Sequence, residues 1–311
     1  MPHLSIVAPV YNEQEVTLVA LADRIAAALE NITSDYEVIL VDDGSRLETW
    51  AAICSVARTR PQVKGLRFSR NFGQHPAIAA GVDHATGEWV VVMDSDLQDR
   101  PEVIPDLYRK ARDGFDVVFV NRQQRPETAL YQLCAGVFYN TLNFLAGQKY
   151  ERRQANYSIV SAKVVEAFKR VPDRDRFYGG TVRWLGFGQS SIDARHGDRE
   201  YGQPSYNLRG RFRFAFRLIF GFSTRLLYLA ILLGLLLALV SFGMALDIVV
   251  YKILHPTVPI PGWPSVMTAV FFTAGVTNVM LGLVGIYIGG LVEQSKNRPI
   301  YLIERETNFL H

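Results

Sequence analysis

Trp89-Val-Val-Val-Met-Asp94-Ser-Asp96-Leu-Gln98-Asp99 is the stretch on which the reading of this chain turns. An unbroken apolar run suits a strand covered on both faces, and the side-chain period of two then aims Asp94 and Asp96 the same way. Two hard oxygen donors at that spacing, with the Gln98 carbonyl beyond them, suit Mg²⁺ or Mn²⁺ chelated by a nucleotide diphosphate. The stretch therefore predicts an enzyme that handles a nucleotide-activated substrate. Taken alone, Asp94 and Asp96 would serve equally well to cap the next helix, so the neighbouring segments have to decide.

Outward from this run, apolar strands are predicted at Leu4 to Val10, Tyr36 to Val41, Val63 to Phe68, Trp89 to Met93 and Asp116 to Val120, with amphipathic stretches of helical length between them. This is the βαβ alternation of a doubly wound, mostly parallel α/β sheet, which binds ligands beyond the carboxyl ends of its strands. Polar groups sit at those ends: Tyr11-Asn12-Glu13, Asp42-Asp43-Gly44-Ser45, Asp94-Ser95-Asp96 and Asn121-Arg122. Each has a local account as well. Asn12 with Glu15 would make a capping box, Asp42 to Ser45 an ordinary turn, and Asp99 a structural residue near the first-turn proline Pro101. Their recurrence at successive strand ends favours a shared crevice.

Beyond residue 200 the composition changes. Thr224 to Val250 and Ser265 to Val292 are nearly uncharged and exceed the roughly 20 residues that span a bilayer core. Arg209, Arg211, Arg213, Arg217 and Arg225 lead into the first run, and Lys296, Arg298 and Arg305 follow the second. The connector from Lys252 to Pro264 carries a single Lys. The positive-inside bias then puts both chain ends in the cytoplasm and the connector outside. Tyr206 to Phe222 interleaves basic and aromatic residues, as a helix lying among lipid headgroups does; its arginines would either set topology or touch substrate phosphate. Gly282, Gly285, Gly289 and Gly290 would let helices approach closely, within one chain or between subunits.

The expected division is a catalytic domain over 1–205, an interfacial amphipathic helix over 206–223, a two-helix transmembrane hairpin over 224–292 and a cytoplasmic tail over 293–311. A net charge of +3 gives no case for nucleic acid. Cys54 and Cys134 lack metal-site spacing and read as thiols of a reducing compartment. The amino terminus enters the first strand without a basic leader or cleavage site, so the first domain is expected in the cytoplasm, at the inner membrane.

Ser5-Ile-Val-Ala-Pro-Val-Tyr-Asn-Glu13, Val41-Asp-Asp-Gly-Ser45, Ser69-Arg-Asn-Phe-Gly-Gln-His75, Met93-Asp-Ser-Asp-Leu-Gln98 and Pro101-Glu102 together resemble glycosyltransferase family two. The chain is most similar to its polyprenyl-phosphate branch, related to dolichol-phosphate mannosyltransferase and the bacterial undecaprenyl-phosphate sugar transferases. Further likeness lies in Arg176-Phe177 through Phe187, in Arg199 to Tyr206, in Gly285 to Gly289 and in Asn297 to Tyr301. The resemblance implies a GT-A fold, cytoplasmic catalysis and inverting transfer of one sugar from a UDP- or GDP-type donor to a polyprenyl phosphate. It implies Pro9, Tyr11, Glu13, Asp42 and Asp43 around the nucleotide, Asp94, Asp96 and Gln98 at the metal, and Arg122 on the acceptor phosphate. Arg199, Ser205 and Tyr206 would lie near the acceptor or a closing loop, and the family leans towards tetramers.

Two departures bear on the acceptor. Tyr131, Gln132, Cys134 and Ala135 stand where the family usually carries an Arg and a Ser for the lipid phosphate, which turns attention to Arg125 and to membrane-side arginines such as Arg209. Asn156 stands where an Asp is often found. A phosphate monoester is already anionic near neutral pH, so the reaction needs positioning and charge screening rather than a strong base. The alternatives are a membrane polysaccharide synthase, whose Gln-x-x-Arg-Trp motif is broken here by Gly180 before Arg183-Trp184, and a non-catalytic lipid-binding scaffold, against which Asp94, Asp96 and Gln98 argue.

Overall fold

The structure, a computed structural model, describes residues 3–122, 136, 154–171, 176–194, 225–255 and 262–309. Its strands are β1 (Leu4–Val10), β2 (Tyr36–Asp42), β3 (Val63–Phe68), β4 (Trp89–Val92), β5 (Val117–Arg122), β6 (Gln154–Ser161), β7 (Gln189–Ala194) and β8 (Ile303–Thr307). The helices are α1 (Glu15–Leu29), α2 (Leu47–Thr59), α3 (Gln74–His84), α4 (Ile104–Arg112), α5 (Ala162–Lys169), α6 (Tyr178–Trp184), α7 (Arg225–Leu254) and α8 (Trp263–Ser295), with a 3₁₀ turn at Pro101–Val103.

The strands form one sheet in the order β7-β5-β6-β4-β1-β2-β3-β8. β1 pairs in parallel with β2 and β4, β2 with β3, and β5 with β7. β6 runs antiparallel to both β4 and β5, and β8 runs antiparallel to β3. All strands except β6 and β8 therefore point the same way and deliver their carboxyl ends to one edge. The five strands expected from the sequence are present, with β4 ending one residue early and β5 shifted by one or two residues.

The period of two divides the core. Leu4, Ile6, Ala8 and Val10 of β1 pack with α1, α2 and α4, whereas Val7 packs on the other face with α3, α5 and Tyr178 and Val182 of α6. Alternate residues of β2 and β4 follow suit, so both faces of the central strands are covered and the strands read as apolar runs. On α1 the buried residues Leu18, Leu21, Ala22, Ile25 and Leu29 recur at helical spacing, and burial of each leucine or isoleucine among them contributes ~1.5–3 kcal/mol.

At the sheet edge opposite the strand ends of interest, Glu37 of β2 is 3% exposed and is held by donors on three elements. Ser5 Oγ donates to it at 2.6 Å, Lys64 Nζ at 2.7 Å, and the Thr86 N–H and hydroxyl at 2.8 and 2.9 Å. Burial pushes its carboxyl up, but these hydrogen bonds outweigh it and hold the group below its usual value.

α7 and α8 make up the second of two compact units, and Arg298 onward belongs with the sheet. Within these helices Ala230–Ile248 and Ala269–Ser295 reach mean hydropathies of 2.4 and 1.9, so both are long and apolar enough to cross a membrane. Phe242 and Phe271 are 70% and 72% exposed, which water alone does not favour.

Glu37→Ala is expected to cost about 1–3 kcal/mol, because Ser5 and Thr86 lose their buried acceptor. Since the folded carboxyl lies below 4.5, its contribution is complete above that pH and is lost as pH falls further. Denaturant unfolding of parent and variant should give a gap at neutral pH that narrows in acid.

Candidate active site at the carboxyl edge of the sheet

The ends of β1 and β2 are laced together. The Asn12 N–H donates to Ser45 Oγ at 2.9 Å, and Asn12 Oδ1 accepts the Arg46 N–H at 3.2 Å. Asn12 makes this reach from a left-handed backbone, φ 56°, which Asn tolerates. The expected capping box is not formed: α1 begins at Glu15 after Gln14, without a side-chain cap, and Asn12 instead serves the start of α2. Tyr11, the residue before Asn12, is 52% exposed. Pro9 is half-buried one residue before the end of β1, and Glu13 accepts the Thr49 hydroxyl through its backbone carbonyl.

Asp42 is fully buried. Its Oδ1 accepts the Ser45 N–H at 2.9 Å, so Asp42 to Ser45 is indeed a turn, closed by the first of its two acids. Gly44, at φ +65°, makes the turn possible, since a Cβ there would lie 2.2 Å from the Arg70 carbonyl carbon. Asp42 Oδ2 faces Arg67 Nη1 at 3.5 Å but has no hydrogen-bond partner among the described residues. Arg67, at the level of Asp42 on β3, donates through Nη2 to the Ser45 carbonyl at 3.2 Å. Sequence reasoning missed Arg67. The signal was available, because an arginine between Leu66 and Phe68 of a predicted strand is poorly placed unless it meets a carboxylate.

Asp43 reaches in the other direction. Its carboxylate accepts the Phe72 N–H at 2.7 Å and the Gly73 N–H at 2.9 Å, which shapes the loop leading into α3. Burial raises its pKa to about 6, against the lowering effect of those two hydrogen bonds, and the neighbouring Asp42 charge adds a further push upward.

β4 ends at Val92, one residue before the expected end at Met93, and Asp94 and Asp96 lie on the turn that follows it, as expected. Burial still alternates there: Asp94, Asp96 and Gln98 are half-exposed, whereas Ser95, Leu97 and Asp99 are buried. Asp99 Oδ2 accepts the Asp94 N–H at 3.0 Å, Asp96 Oδ1 accepts the Gln98 N–H at 3.1 Å, and Gln74 Nε2 of α3 donates to Asp94 Oδ1 at 2.7 Å. Asp99 is thus structural as expected, by bracing this turn; the helical start at Pro101 follows Arg100 without a side-chain cap. Leu97 is held at φ 62°, a strained conformation for such a residue that costs ~1–3 kcal/mol and persists only where its surroundings impose it.

Among the described residues no three His, Cys, Asp or Glu side chains converge as a metal cage. The two half-exposed carboxylates and the Gln98 amide fit a hard cation that takes its other oxygens from a diphosphate and water. Asn156 lies on β6 two residues from Ser158, which pairs with Val92 at the end of β4. Its Oδ1 lies 3.6 Å from where a Cβ on Gly179 would stand, over the start of α6. Arg122 ends β5, and Asn121↔Gln154 brings β5 and β6 together at the same edge. Arg125, Arg199, Ser205, Tyr206, Arg209, Cys134 and the interfacial segment 206–223 lie outside the described residues.

This mixed α/β sheet, with an acidic turn after β4 and a paired acidic turn after β2, is of GT-A type. Residues 5–160 match the family Glycosyl transferase family 2, and the chain belongs to that family. An uncharacterized glycosyltransferase of Synechocystis is 36% identical over 96% of this chain and 94% of its own length. The bactoprenol glucosyl transferase of Shigella phage SfV is 33% identical over 97% of this chain and 98% of its own. Among solved structures, a mannosyltransferase from Pyrobaculum calidifontis in complex with GDP-Man and Mn²⁺ aligns with a TM-score of 0.48 at 17% identity, over 96% of this chain and 88% of that one.

Because Asp43 binds its proton more tightly folded than unfolded, its ionisation makes stability fall as pH rises from 3.8 towards about 6. Asp43→Asn should remove that component, so the parent-minus-variant unfolding free energy should decline across this window and then level off. A difference that rises with pH would contradict the assignment.

Proposed function

We propose that the protein transfers one sugar from a nucleotide sugar to a polyprenyl phosphate, undecaprenyl phosphate in particular, at the cytoplasmic face of a membrane, with inversion at the anomeric carbon. The acidic turn after β4, beside the Asp42 and Asp43 turn, is the observation that carries this reading, in a chain whose later helices are apolar enough to span a bilayer. The phage relative, named for bactoprenol and similar along its whole length, supports the lipid acceptor. The arginines before α7 and the basic residues after α8 support cytoplasmic chain ends, with 1–205 as the catalytic domain, 206–223 at the interface, 224–292 as the hairpin and a tail that, from Arg298, rejoins the sheet rather than standing apart from the catalytic domain.

In this reading Tyr11 offers an exposed ring to the base, while Pro9, Glu13, Asp42 and Asp43 line the nucleoside side. Asp42 acts from beneath, closing the Ser45 turn through Oδ1 and facing Arg67 through Oδ2. Asp94 and Asp96, with Gln98, would hold Mg²⁺ or Mn²⁺, which when bound screens the charge that builds on the leaving diphosphate. Gln74 restrains Asp94, and Asp99 restrains the backbone beneath it, so the carboxylates meet the donor already oriented. Arg122 would take the acceptor phosphate, because a guanidinium matches phosphate oxygens bidentately, with Arg125, Arg199, Ser205, Tyr206 and Arg209 as further acceptor-side candidates. Asn156 would contribute an amide contact rather than a base. The attacking oxygen already carries negative charge, so no proton has to be removed from it.

Purified protein incubated with Mn²⁺ or Mg²⁺, undecaprenyl phosphate and a panel of nucleotide sugars, UDP-glucose first, should yield a glycolipid detectable by mass spectrometry. Its absence across the panel would refute the activity. Asp96→Ala should lower turnover by about two orders of magnitude or more while the protein stays folded. Arg122→Ala should raise the KM for the lipid phosphate by about tenfold and leave nucleotide affinity by calorimetry unchanged.

A further inference from the structure

The chain does not end at its second apolar helix. Residues after Arg298 rejoin the sheet, where β8 lies antiparallel to β3 in the register Gly65↔Thr307, Leu66↔Glu306 and Arg67↔Arg305. The register then slips to Phe68↔Ile303, which leaves Glu304 as the extra residue of a bulge. Bulges re-aim side chains, and this one brings Glu304 Oε2 to 3.4 Å from Arg67 Nε. Arg67 is paired in register with Arg305, a like charge, and Glu304, whose Oε1 lies 3.6 Å from Arg305 Nε, stands against both guanidinium groups. Arg67 is the side chain that faces Asp42 Oδ2 and holds the Ser45 carbonyl.

Several contacts fix the bulge. The Tyr301 ring stacks on Phe68 at 5.2 Å between centroids, and its hydroxyl donates to Asp83, which also pairs with Arg176. The Leu302 carbonyl accepts the Ser69 N–H, and Asn308 donates to the Ala57 and Val63 carbonyls. Gly65 admits the strand, since a Cβ there would lie 2.8 Å from the Thr307 methyl group.

We propose that β8 is a positioning element of the donor pocket: Glu304 orients Arg67, Arg67 orients Asp42 and the Ser45 turn, and affinity for the nucleotide depends on residues beyond both apolar helices. This rests on the donor-site reading given above. Glu304 is 43% exposed, so its substitution tests the relay without opening the core.

The test uses the full-length protein in detergent, titrated with UDP and GDP in the presence of Mn²⁺ and assayed with the matching nucleotide sugar. Glu304→Gln should weaken nucleotide binding and raise the donor KM by about three- to fivefold, the scale of a half-exposed ion pair. Turnover at saturation, the KM for lipid phosphate and the melting temperature should stay at parent values, and Glu304→Asp should recover part of the loss. In an Asp42→Asn background, which itself should bind nucleotide poorly, Glu304→Gln should add no further loss. Parent-like affinity in Glu304→Gln, or an undiminished extra loss in the double variant, would overturn the relay and leave the donor site standing. Parent-like affinity in Asp42→Asn would instead overturn the donor-site reading itself.

Discussion

Like charges gathered at one edge of a sheet repel, and much of this molecule is arranged to hold them there. Asp42, Asp43, Asp94, Asp96 and Asp99 occupy the turns after two strands that flank β1. At short range and reduced dielectric such repulsion costs several kcal/mol unless each carboxylate is matched by donors. The donors are largely backbone: the N–H groups of Ser45, Phe72, Gly73, Asp94 and Gln98. Backbone donors cost no side-chain entropy and cannot swing away. They hold the acids in a state that would welcome a cation and a polar ligand, and Asp43, with a pKa near 6, records how far burial has been pushed.

This arrangement also links the elements mechanically. Asp43 ties the end of β2 to the entrance of α3, and Gln74 in the first turn of α3 then restrains Asp94 at the end of β4. Asn12 ties β1 to α2. A shift in any one turn is therefore felt in the others, which suits the proposed transfer, in which two anionic substrates would have to be placed within reacting distance. Strain at Leu97 fits the same pattern, since a left-handed leucine survives only where its neighbours leave no alternative.

The return of the chain to β3 gives the sheet an edge that local pattern did not reveal. Ile303 to Thr307 reads Ile-Glu-Arg-Glu-Thr, with too little apolar character to announce a strand, and it forms one because β3 offers an unpaired edge and Gly65 leaves room. β6 and β7 were likewise absent from the sequence reading. Gln189 to Ala194 is Gln-Ser-Ser-Ile-Asp-Ala, and its parallel pairing to β5 supplies the hydrogen bonds that its composition does not promise.

By itself the sequence determined the strands buried on both faces, because an apolar run that long has no other stable place, and it determined the two membrane-length helices for the same reason. It also located the acidic turns, since chain order alone puts them after strands of a doubly wound sheet. Only the tertiary structure decided which donors satisfy each acid. It set Asn12 on α2 rather than on its own helix, Asp99 under Asp94, Arg67 against Asp42 and Glu304 against Arg67. Those pairings join residues far apart in the chain, and they follow from strand order and a one-residue slip in register, quantities that no local window of sequence contains.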